Sequence, residues 1–128
     1  MRLLALSIVT PSGMNIADGR KRLEVRRWRP QALPLEPLLI VENKRFLRDD
    51  AEEDPDGLAV ALVTINEVHP WREDEMSAAC AGYFEPGLFA WTISNLRPIV
   101  RPFVVPARRG LYELDIDGGM LETRFVSE

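Results

Sequence analysis

The sequence of 128 residues has one cysteine, one histidine and no run of twenty apolar residues. Cys80 alone cannot close an internal disulfide, and His69 as the sole histidine leaves no Cys/His cluster at zinc-binding spacing. Neither a metal nor another cofactor is expected. The opening apolar run Leu3–Val9 ends at Thr10-Pro11-Ser12-Gly13. It is too short to span a membrane and lacks the small-residue cleavage pattern of a secretory signal. The expectation is a soluble, cytoplasmic protein with no membrane contact. A Gly-x-Ser-x-Gly elbow is also missing, so neither Ser7 nor Ser12 reads as a nucleophile.

What is there describes one globular domain over residues 1–128, with 46% hydrophobic and 28% charged residues. A chain of this length buries roughly two-thirds of its unfolded surface and needs no covalent staple. Leu3–Val9 reads as a buried strand. Thr10 is a hydroxyl cap for a short helix, Pro11–Asp18, which Gly19 ends. Lys21–Trp28 comes next as a half-buried strand, with Leu23 and Val25 alternating against Glu24 and Arg26. Further strands are predicted at Leu38–Asn43, Leu58–Val68, Leu88–Ser94, Ile99–Val105 and Leu111–Ile116. Asp117-Gly118-Gly119 reads as a hairpin turn into a last strand, Met120–Val126. Trp71–Gly82, acidic at its start and alanine-rich later, reads as a second short helix in which Cys80 is a small buried hydrophobe. The fold class is therefore mostly β (α+β), an array of short strands with two short helices, about six or seven of the strands closed as a barrel or sandwich.

The net charge of −4 hides a strong segregation. Arg20–Arg29 carries six cations against Glu24 alone, a net +5, and Arg97–Arg109 adds +4 through Arg97, Arg101, Arg108 and Arg109, so the rest of the chain sums to −13. Much of that lies in Arg48–Gly57, which has six acidic residues and reads as a solvated loop. Either the arginines pair with this loop or stand singly in water, or the two basic segments meet as a face that attracts phosphate. The amide groups after Thr10, with Ser12 and Gly13, offer such an anion a helix-start seat.

The residues Leu4-Ala5-Leu6-Ser7-Ile8, Pro11, and then Asp18-Gly19-Arg20-Lys21-Arg22-Leu23-Glu24-Val25-Arg26 resemble the opening of the activating-signal-cointegrator homology (ASCH) domain. The second block carries its Gly-x-Lys-x-x-Glu-x-Arg signature. Leu58–Val68 is similar to its central strand, and Trp91–Ile99 with Pro102, Gly110 and Leu111-Tyr112 is similar to its closing pattern. The resemblance implies a PUA-like β-barrel whose cleft faces RNA or a nucleotide-like ligand. It also implies an alternative, since some relatives are small hydrolases, acetylcytidine amidohydrolases and a ribonuclease among them. In the amidohydrolases the signature Lys is catalytic, together with a Thr three residues on and a later Glu. Lys21 matches the Lys, but Glu24 stands in place of the Thr, and Glu73 or Glu75 are the only acids offered for the last role. Lys21 and Glu24 are thus catalytic candidates only if the protein is an enzyme.

For ligand or RNA binding the candidates are Ser7, Thr10, Ser12, Lys21, Glu24, Arg26, Trp28, Arg97 and Arg101. Glu24 and Arg26 share a strand face, where they pair with each other or jointly grip a polar ligand. Trp28, among arginines, is a base-stacking or cation–π residue. Trp91 sits between apolar neighbours and reads as core, and His69 as a strand-end residue. Trp71 at its loop junction is open. A protein partner contacting the acidic loop is the remaining alternative.

Overall fold

The computed structural model describes residues 1–126; positions 127 and 128, which close the domain expected from the sequence, lie outside them. Its elements are β1 (Arg2–Val9), α1 (Ser12–Ala17), β2 (Leu23–Arg26), β3 (Leu35–Asn43), β4 (Asp54–Pro70), β5 (Phe89–Ala107) and β6 (Leu111–Asp115), with 3-10 turns at Glu73–Glu75 and Gly118–Met120. The six strands form one sheet in the order β2-β5-β4-β3-β1-β6. β1 and β3 run parallel and every other neighbouring pair is antiparallel. This is the mostly-β architecture expected, a strongly curled half-barrel.

Apolar residues line both faces of the strands. Along β1, Leu3 and Ala5 enter one cluster with Leu39, Val41, Val105 and Tyr112, while Leu6 and Ile8 enter a second with Ile16, Leu38, Ile40 and Trp91. A strand buried on both faces reads as the continuous apolar run seen at Leu38–Val41 and Leu58–Val63. α1, a turn and a half of helix, covers the second cluster through Ile16 and Ala17. Among the described residues no helix is long and apolar enough to cross a membrane, and no group of His, Cys, Asp and Glu is placed to hold a metal ion.

Several sequence expectations are corrected. Trp71–Gly82 is not a helix beyond its Glu73–Glu75 turn. The Ala78 carbonyl accepts the amides of Arg22 and Leu23, and the Ala79 carbonyl accepts Lys21 Nζ, so these acceptors are drawn into contacts with the segment leading into β2. Cys80 takes a left-handed conformation (φ 55°) and is exposed, not buried. The two strands expected at Leu88–Ser94 and Ile99–Val105 are one strand, β5; the break signal at Asn95 marks a bulge, where Asn95 adopts φ 49° and the register against β4 shifts. The last strand does not form, and only one bridge, Ile99–Thr123, ties that segment to β5. β4 starts at Asp54, inside the acidic segment, because the buried Asp54 carboxylate accepts the Lys44 and Asp56 amides.

The start of α1 differs too. Pro11, not Thr10, is the cap residue, and no side chain caps it. The Met14 amide donates to Glu42 Oε2 at 2.7 Å, so the protein's own carboxylate occupies part of the seat expected for a foreign anion.

Candidate functional site

β2 begins only at Leu23, so Lys21 precedes the strand and escapes its alternation. Gly19, at φ 80°, turns the chain out of α1 in a conformation costly to a residue with a Cβ. The amides of Arg20 and Lys21 both donate to the Asn15 carbonyl, which pins the chain at the approach to β2. The Lys21 side chain then runs inward. Its Nζ donates to the Ala79 carbonyl at 2.7 Å and lies 3.5 Å from Glu24 Oε1. On the other carboxylate oxygen, Arg26 Nε donates to Glu24 Oε2 at 2.8 Å, and Arg26 also donates to the Ser7 carbonyl at 2.9 Å. Lys21 and Glu24 are almost fully buried, whereas the Arg26 side chain is partly exposed.

These three side chains line a cleft of about 830 Å³. Its walls come from the end of β1 (Ser7 to Thr10), Ser12 at the start of α1, β2 through Trp28, and Asn43 at the end of β3. Loops contribute Phe46, Leu47, Tyr83, Glu85 and Leu88, and the β5–β6 turn contributes Arg108 to Gly110. Basic side chains outnumber acidic ones here: Lys21, Arg26, Arg27, Arg108 and Arg109 against Glu24 and Glu85. Ser7 Oγ lies 2.6 Å from Tyr112 Oη, which donates to the Pro106 carbonyl; Ser7 is therefore the donor in its own bond to Tyr112. Burial raises the Tyr112 hydroxyl above the ordinary tyrosine range despite the Ser7 bond, so it stays protonated at neutral pH.

The structure thus brings together seven of the residues expected from sequence: Ser7, Thr10, Ser12, Lys21, Glu24, Arg26 and Trp28. Arg97 and Arg101 are not among them. Arg97 lines a separate depression of about 640 Å³ with Ser94, Asn95, Thr123 and Arg124, and Arg101 lies further along β5. The second basic segment does reach the cleft, but through Arg108 and Arg109. β6 pairs Leu111 with Leu6, and Gly110, at φ 69°, makes the tight turn beside the end of β1. Both of these arginines also touch the acidic loop, Arg108 with Glu53 at 2.8 Å and Arg109 with Asp50 at 3.8 Å. Phe46 and Tyr83 were not anticipated, because single aromatics in loops carry no periodicity.

Trp91 is core, as read from sequence, with no exposed surface. Trp28 stands edge-on to it at 4.9 Å and is about one-third exposed on the cleft side. Trp71 is buried against Phe84. His69 closes β4 outside the cleft, with Nδ1 2.9 Å from Glu67 and Nε2 2.8 Å from Glu75. Neither Glu73 nor Glu75 lines the cleft, so no second acid from this segment joins Lys21 there.

Burial pushes the Glu75 carboxyl up, but hydrogen bonds from His69 and the Arg72 amide, with their charges, hold it below its ordinary range overall. A carboxylate held below its unfolded pKa stabilises the fold at higher pH and loses that contribution as pH falls through the folded value. Thermal melts should therefore show Glu75→Gln less stable than wild type at neutral pH, with the two converging as pH falls below the ordinary carboxylate range. A difference in melting that stays constant through that fall would contradict this role.

A sequence model of the ASCH domain matches residues 6–103, well over half of the chain. The chain belongs to the ASCH domain family. Solved structures agree with this ASCH assignment at the level of fold. One mutant form of ZmASCH from Zymomonas mobilis, a tyrosine-to-phenylalanine variant, superimposes with a TM-score of 0.54 at 16% identity, covering 78% of this chain and 73% of that one. A serine-to-alanine mutant of the same protein gives 0.53 at 15%, covering 78% and 72%. No curated protein matches the sequence. Lys21, Glu24 and Arg26, which carry the resemblance read from the sequence, all line the cleft, and Gly19 makes the turn that leads to them.

Proposed function

We propose that this ASCH domain binds RNA, or a nucleotide-like ligand, through a phosphate-bearing unit seated in the Lys21–Glu24–Arg26 cleft, with residues 1–128 acting as one cytoplasmic binding domain. The observation that supports this reading is one cleft lined by five cationic side chains and two acidic ones around the Lys21–Glu24–Arg26 cluster, in which Lys21 and Glu24 are buried and Arg26 is partly exposed. Arg27, Arg108 and Arg109 at its rim share their charge with Glu85, Glu53 and Asp50. Glu24 holds Lys21 and Arg26 in place, and Arg26 retains N–H groups beyond the two it spends on Glu24 and Ser7. A planar guanidinium so fixed suits bidentate recognition of phosphate. The overall acidity of the chain favours the rest of its surface staying clear of the polyanion.

The test is titration of single-stranded RNA and duplex DNA at two or more salt concentrations. If about four phosphates are engaged, log affinity for the single strand falls with log salt at a slope near −3. Affinity that is flat in salt, or equal for duplex DNA, contradicts the reading.

A further inference from the structure

Two loops border the cleft, and each turns one apolar residue inward and the aromatic before it outward. After β3, Leu47 packs against the core while Phe46 is 75% exposed. Before β5, Phe84 packs on Trp71 at 4.9 Å while Tyr83 is also 75% exposed. Both loops are held from beneath. The first is tied by the Asn43 side chain to the Arg45 carbonyl, by the Lys44 amide to Asp54, and by the Arg48 amide to Glu52. The second is anchored by Phe84 and by the Trp71 amide donating to the Leu88 carbonyl.

Soluble domains expose single apolar residues freely, but grouped ones mark contact sites. Among the described residues four aromatic side chains are exposed, and three of them, Trp28, Phe46 and Tyr83, line this one cleft. Neither Phe46 nor Tyr83 has an aromatic or cationic side chain stacked on it. Exposed aromatic faces in a cleft also lined by Arg27, Arg108 and Arg109 match a ligand that alternates aromatic rings with phosphates.

We propose that Phe46 and Tyr83 are base-stacking platforms at the mouth of the cleft, so that the domain takes nucleobases of single-stranded RNA and not phosphate alone. This rests on the cleft reading above and adds the chemistry of the second half of the ligand. The arginines set the dependence on salt, and the aromatics set a salt-independent share that needs the base.

The test compares a single-stranded oligoadenylate with an abasic ribose-phosphate strand of equal length. Wild type is expected to bind the base-bearing strand about 100-fold more tightly, each platform giving about tenfold. F46A/Y83A removes most of this preference, leaving at most what Trp28 supplies, with the salt slope unchanged. F46L/Y83L, apolar but without π-faces, behaves like the alanine pair, whereas F46W/Y83W keeps the preference. An unchanged melting midpoint separates lost stacking from lost fold. Wild-type preference surviving in F46A/Y83A or in F46L/Y83L overturns the proposal while leaving the cleft reading intact. A wild-type chain that binds neither strand fails the cleft reading and this one with it.

Discussion

Glu24→Ala is expected to lose about 3–5 kcal/mol of folding stability, the largest effect of any single change at the cleft. The carboxylate lies between two cations, with Lys21 Nζ at 3.5 Å and Arg26 Nε at 2.8 Å. Lys21 and Glu24 are each less than a tenth exposed, so water cannot replace the lost partner. Removing the negative charge leaves an ammonium and a partly buried guanidinium facing each other across the space the side chain occupied. Glu24→Gln keeps the volume and one acceptor oxygen, and its loss should fall between wild type and Glu24→Ala. Urea unfolding gives the comparison directly, through a shift in midpoint at constant slope. A loss under about 1 kcal/mol would show that the cluster relaxes into solvent, contrary to its burial.

The second large effect is on binding. Arg26→Lys should weaken single-stranded RNA binding about 100-fold, or about 2–3 kcal/mol, while the chain stays folded. Arg26 is held at two points, Nε on Glu24 and a terminal nitrogen on the Ser7 carbonyl, which orient the plane of the guanidinium within the cleft it lines. A lysine ammonium is a point charge and cannot keep both anchors and present a flat fork to phosphate. Because the charge is retained, the salt slope of Arg26→Lys should match wild type, whereas Arg26→Ala should make it shallower by about 0.7. Wild-type affinity in Arg26→Lys would remove Arg26 from the binding role.

The parts of this site that were legible in sequence are those governed by local geometry. Two-residue alternation places Glu24 and Arg26 on one face, and the structure pairs them. The Gly19 turn and the late start of β2 at Leu23 explain how Lys21, of the wrong parity, still reaches that face. What was not legible depends on distant chain. Ala78 and Ala79 look helical in isolation, but their carbonyls bond to residues 21–23, a contact no local propensity encodes. Arg97 and Arg101 were grouped with Arg108 and Arg109 by charge, yet they lie along the middle of β5 and only the latter pair lines the cleft. At the start of α1 the distant contact is Glu42, from β3, which reaches across to the Met14 amide and takes up part of the seat read there. Phe46 and Tyr83 were missed because only the assembled fold shows which loop aromatics share a cleft.

Leu88 and Arg108 stand immediately before and after β5, and both border the same cleft. A straight strand of that length would hold its ends about 60 Å apart. β5 instead wraps around, bending at the Asn95 bulge and at the register shift between Ala59 and Ala61 of β4. The strand acts as the bow of a clasp, with the jaws of the cleft at its two tips. Aperture is then a property of curvature set well away from the lining of the cleft, and an insertion or deletion at either bend would resize the mouth without altering a residue that lines it.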